Sequence, residues 1–166
     1  MVLSKQRVAL PKKHTMQTFI QVGEHFWREA SLLPDEITRF AEMVGDSNPV
    51  HHDADAAKAV GFDGIIASGP HTSAILTSIL ADHYSRRAPM LGLEFTAKFL
   101  QPILADKCCR YEWEVTSVQT KPRLFGELVS LTGRVIQEGK TAISATASVA
   151  VMFDKTVPLA LQRGNR

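Results

Sequence analysis

Apolar positions along this chain follow two different periods. In residues 34–44, Ile37, Phe40, Ala41 and Val44 recur at the three-to-four spacing that marks one face of a helix. Pro34-Asp35-Glu36 opens this segment, because proline fits a first turn and two carboxylates complement the positive helix end. The alanine-rich stretch from Asp53 to Val60 predicts a second, shorter helix stopped by Gly61. From His71 to Tyr84 the row Ala74, Ile75, Ile79 and Tyr84, thickened by Leu76 and Leu80, is apolar on most faces. Such a helix is enclosed by other elements, with Pro70 in its first turn, and it is expected at the centre of the domain.

After this helix the period becomes two. Leu91 to Leu100 alternates up to Pro102, and Cys108 to Val118 sets Tyr111, Trp113 and Val115 against Arg110, Glu112 and Glu114 on the opposite face. Lys121-Pro122 signals a turn. Phe125 to Gln137 and Thr141 to Phe153 read as two more strands, joined by a tight hairpin at Glu138-Gly139-Lys140. Ahead of the helices, Phe19 to Ala30 alternates only in part. It predicts one or two short strands anchored by Phe19, Val22, Phe26 and Trp27, with Trp27 expected in the core. Mostly late strands beside one apolar helix give an α+β domain, its antiparallel sheet wrapped around a central helix.

Length and composition bound this picture. A chain of 166 residues with 45% hydrophobic and 22% charged positions suits one domain, expected over residues 18–155. Residues 1–17 carry Lys5, Arg7, Lys12 and Lys13 without periodicity and read as a basic flexible arm, and residues 156–166 as a polar tail. A formal charge of +2, without a dense Lys/Arg tract, argues against nucleic acid as a partner. Cys108 and Cys109 are neighbours that point to opposite sides of a strand, which is no disulfide framework and fits a reducing cytoplasm. No apolar run is long enough to cross a membrane, and the N-terminus lacks a secretory signal, so a cytoplasmic location is expected.

Candidate chemistry concentrates in Gly45-Asp46-Ser47-Asn48-Pro49-Val50-His51-His52-Asp53. Gly45 and Asn48-Pro49 break regular structure, and a sharp turn there can bring Asp46 and His51 to the same side. A carboxylate beside an imidazole suits moving a proton onto or off a bound water. Asp and Asn in turns also cap their own backbone, which needs no catalysis, so both readings stand at this point. His51-His52-Asp53 with Asp55 matches no zinc spacing, and no metal is expected. Gly69 stands where the central helix begins with unpaired N–H groups, a place for an oxygen that gains negative charge. His71 either enters that pocket or caps and packs. Arg86, Arg87, Lys121 and Arg123 read as solvated charge, and no Gly-x-Ser-x-Gly elbow is present.

The string from Phe40 through Gly-Asp-Ser-Asn-Pro-Val-His51, then Ala57, resembles the signature of the MaoC-like or (R)-specific enoyl-CoA hydratase family. Phe95 to Pro102 is similar to that family's strand-then-proline segment, with Asp106 near its acidic position. The resemblance implies a single hotdog domain and catalysis by Asp46 and His51. It also implies that the Gly69 backbone N–H binds the thioester oxygen. Asn48 and Ser68 are the expected substrate-binding neighbours, with Asn48 either positioning the water or bracing the turn and Ser68 standing where the family often has His. The implied reaction adds water to a trans-2-enoyl-CoA to give an (R)-3-hydroxyacyl-CoA, or reverses this, with coenzyme A part of the substrate and no separate cofactor. The implied partners are the acyl-CoA thioester and a second copy of the chain, in a homodimer or higher homo-oligomer. Two alternatives remain at this level: an acyl-CoA thioesterase on the same fold, or a non-catalytic acyl-CoA-binding subunit.

Overall fold

The computed structural model describes residues 20–124 and 126–152; the basic arm, the polar tail, Phe19, Phe125 and Phe153 lie outside the described residues. In order come β1 (His25–Ser31), α1 (Pro34–Val44), a 3-10 turn (Pro49–His51), α2 (Ala54–Ala59) and α3 (Gly69–Ser85). There follow β2 (Met90–Phe99), β3 (Cys108–Lys121), a 3-10 turn (Pro122–Leu124), β4 (Gly126–Gln137) and β5 (Lys140–Met152). The five strands form one sheet in the order β1-β3-β4-β5-β2, every neighbouring pair antiparallel. Helix α3 packs against the inner face of that sheet, which is the expected hotdog arrangement.

The row of inward side chains through Trp113 shows why the strands settle in this register. Trp113 is fully buried and pairs with Phe26 on one side and Gly133 on the other; Gly133 pairs with Ala145, and Ala145 with Ala97. One large ring is thus accommodated by three small residues in the same row, and its Nε1–H donates to the Leu76 carbonyl of α3 at 2.8 Å. Helix and sheet are joined there by packing and by one buried hydrogen bond. The β4–β5 hairpin turns on Glu138 and Gly139, both at positive φ (50° and 75°), the twist that matches a two-residue connection.

One expectation is corrected. Trp27 is not in the core: it is 51% exposed on the edge strand, with the Arg110 guanidinium 4.5 Å above its ring, while its neighbour Phe26 takes the buried position opposite Trp113. The partial alternation before the helices yields one strand, His25–Ser31, and Gly23 lies in the turn before it, its N–H bonded to the Val115 carbonyl. Glu112 lies on the outer face as expected, yet it is buried, because Arg110, Arg134 and His25 converge on its carboxylate. A buried carboxylate needs such partners to remain charged.

Candidate active site

Helix α1 delivers Asp46. Gly45 takes the left-handed conformation (φ 77°) that ends the helix, and the Asp46 N–H reaches back to the Ala41 carbonyl at 2.8 Å. Asp46 then uses its two oxygens differently. Oδ1 accepts the Asn48 N–H at 3.1 Å and braces the turn, while Oδ2 lies 3.6 Å from His51 Nε2. The capping role and the pairing with imidazole are therefore carried by the same side chain at once.

His51 closes the 3-10 turn and is buried. Its Nδ1 is 2.7 Å from the Ile66 carbonyl, and its own carbonyl accepts the Thr38 hydroxyl at 3.0 Å. A carbonyl only accepts, so Nδ1 carries the hydrogen, and the tautomer this selects has its lone pair at Nε2, toward Asp46. A carboxylate oxygen and an imidazole lone pair 3.6 Å apart are both acceptors. A water donating one O–H to each satisfies both.

The loop between α2 and α3 aligns the rest. Ile66 N–H bonds the Val50 carbonyl and Ala67 N–H the Ile103 carbonyl, so the chain runs beside His51 into the start of α3. Among the described residues no acceptor takes the Gly69 N–H. His51 and Gly69 line one cavity of about 420 Å³, whose other walls include Phe62, Ile66, Thr72, Phe99, Leu100 and Ile143. The lining is mostly apolar, with few polar groups, as in a site for a small, largely apolar ligand.

Asp46 meets His51 but does not itself line the cavity, and the remaining expected site residues also stand apart from its wall. Asn48 is solvent-exposed and acts on Asp46 through its backbone N–H. Ser68 is 2% exposed and caps α3 by its backbone conformation, with its Oγ bonded to no described group. His71 stacks on Phe40 (4.3 Å between centroids, 5° between planes) outside this cavity, and burial holds it below the ordinary imidazole range despite nearby Glu36. His52 Nε2 lies 2.7 Å from the Asp46 carbonyl and Asp53 caps α2, so the adjacent polar residues serve the backbone. Ile66 lines the cavity, whereas Leu76 is fully buried in the core and Ile65 faces a different groove. The Ile66 carbonyl, Thr72 and Phe99 were not marked as site residues by any sequence signal, since each arrives from a separate element.

Known proteins share the fold and part of the sequence. The (R)-hydratase from A. caviae involved in PHA biosynthesis superposes with a TM-score of 0.72 at 22% identity, over 80% of this chain and 98% of that one. A "UPF0336 protein" of Saccharopolyspora erythraea, a name that states no activity, is 40% identical over 62 residues, or 37% of this chain and 38% of that one. A "3-hydroxyacyl-thioester dehydratase X" of Mycobacterium tuberculosis is 34% identical over 73 residues, covering 44% of this chain and 24% of its own length. These two alignments thus take in well under half of either curated relative. The family model described as "MaoC like domain" matches residues 15–127, a span that holds the Asp46 turn, His51 and the start of α3. With more than half its length matched and the sheet, helix and turn in place, the chain belongs to the MaoC-like domain family.

Proposed function

We propose that this protein is a hydro-lyase that adds water across the 2,3 double bond of a trans-2-enoyl-CoA, giving (R)-3-hydroxyacyl-CoA, or runs the same step in reverse. The observation that carries this reading is the pair Asp46 Oδ2 and His51 Nε2, 3.6 Å apart, with His51 lining an apolar cavity that Gly69 also lines, its N–H without an acceptor among the described residues. A water between the two acceptors attacks C3. As its oxygen bonds to C3, one water proton passes to the Asp46–His51 pair and the double-bond electrons move onto the thioester as an enolate. The enolate oxygen accepts the Gly69 N–H, a contact worth about 10²–10³ in rate in comparable sites. The pair then returns a proton to C2 on the same face, which restores the thioester and balances the addition.

Coenzyme A is part of the substrate, and the chemistry needs no separate cofactor. The assembly is a homodimer or higher homo-oligomer; in support, β2 is an edge strand carrying exposed Leu91 and Leu93, the kind of edge that a second chain covers. The test is crotonyl-CoA with the purified full chain, following loss of conjugated enoyl-thioester absorbance together with a thiol reagent. Loss of absorbance without free thiol supports hydration. Release of thiol without hydration assigns a thioesterase instead, and binding without either change assigns an acyl-CoA-binding subunit.

A further inference from the structure

Thr72 lies in the first turn of α3, is nearly fully buried, and still contributes to the cavity wall beside Gly69. Its hydroxyl is 3.0 Å from the Gly69 carbonyl and 3.4 Å from the Ser68 carbonyl, and its backbone N–H donates to the Ser68 carbonyl at 3.2 Å. Both carbonyls only accept, so the hydroxyl is the donor. The Ser68 carbonyl belongs to the same peptide plane as the Gly69 N–H, and the Gly69 carbonyl belongs to the next plane, which ends at Pro70. One residue therefore ties down the planes on both sides of Gly69.

Gly69 needs that restraint more than another residue would. It has no Cβ to limit its backbone, and a helix start supplies no partner for its N–H. An oxyanion donor is effective only when it is aimed before the charge develops. An amide whose carbonyl already accepts hydrogen bonds is also polarised toward stronger donation. The side chain of Ser68 supplies no such tie, since its Oγ has no described partner. Thr77 makes the same back-bonds, to Ser73 and Ala74, so the bond type is ordinary along this helix. What distinguishes Thr72 is which peptides it holds.

We propose that Thr72 is a positioning residue that aims the Gly69 N–H at the thioester oxygen; this rests on the hydration reading above. The test compares wild type, Thr72→Val and Thr72→Ser in crotonyl-CoA hydration, with thermal melting of each. It adds isotope-edited infrared measurement of the thioester carbonyl in bound 3-hydroxybutyryl-CoA. Thr72→Val is expected to lower kcat about tenfold, less than loss of the donor itself, with KM and melting temperature little changed and the carbonyl stretch shifted toward its free value. Thr72→Ser keeps the hydroxyl and restores both kcat and the stretch. Wild-type kcat and stretch in Thr72→Val overturn the proposal, as does a loss of kcat that tracks melting temperature and is not rescued by Thr72→Ser. A wild-type chain that does not hydrate crotonyl-CoA overturns the hydration reading itself, and this proposal with it.

Discussion

The ring tip of Phe99 rests against the backbone of Gly69: a Cβ built on Gly69 would lie 2.9 Å from Phe99 Cζ and 3.0 Å from Cε1. Phe99 pairs with Ile143 at the end of β2 and is 57% exposed, so it can swing outward. Gly69→Ala is therefore expected to preserve the fold, changing stability by less than about 1 kcal/mol, because the strained neighbour is the far end of a side chain. The same substitution displaces a cavity wall and should lower enoyl-CoA hydration about tenfold, since small misplacements in a reacting geometry are costly. Phe99→Leu in the Gly69→Ala background should recover part of that loss. Unchanged turnover in Gly69→Ala would show that the contact does not shape the site.

Gly133 makes the opposite case. A Cβ there would lie 2.6 Å from Trp113 Cε3 and 2.7 Å from Cζ3, and Trp113 is fully buried with its Nε1–H held by Leu76. The ring has nowhere to go. Gly133→Ala is expected to destabilise the fold by about 3 kcal/mol, at the upper end of overpacking costs, a fall in melting temperature of roughly 6–12 °C. Calorimetry or thermal circular dichroism checks it, and a melt within a degree or so of wild type would contradict the packing described for this row.

Glu24 gives a pH dependence. Burial pushes its carboxyl up, but hydrogen bonds from His83 (2.8 Å) and Arg87 (3.3 Å) outweigh that and hold it below the ordinary carboxylate range. A carboxylate lowered in the folded state binds its proton less readily there than in the unfolded chain. Its stabilisation is complete above the unfolded value of about 4.3 and is lost as pH falls through the lower folded value. Glu24→Gln should cost about 1–2 kcal/mol at neutral pH, with the gap to wild type closing at acid pH. Urea denaturation of both proteins at neutral and acid pH is the check, and a gap that stays constant would remove this ion pair as its source.

The parts of the molecule that were legible in the sequence are those encoded locally. The apolar row of α3 and the alternation of β3 to β5 each lie within one segment, and the Asp46 turn with His51 fits inside nine residues. Trp27 was misplaced because the partial alternation of β1 leaves its inward face undetermined; the pairing of Phe26 with Trp113 decides it. Burial of Glu112 depends on His25 and Arg134, which come from other strands. The orientation of the His51 ring likewise depends on the Ile66 carbonyl, fifteen positions away. Thr72 carries no local mark at all, since its significance comes from the peptides beside it rather than from its spacing.

In the proposed hydration Asp46 and His51 act on one water as a unit. This is tested most directly by kcat/KM for enoyl-CoA hydration in wild type, Asp46→Asn, His51→Ala and the double variant, each checked for an unchanged melt. Either single substitution is expected to lower kcat/KM about 10²–10⁴-fold, and the double variant to fall little further than the worse single one. Single variants with wild-type rates, or losses that simply multiply in the double variant, would contradict it.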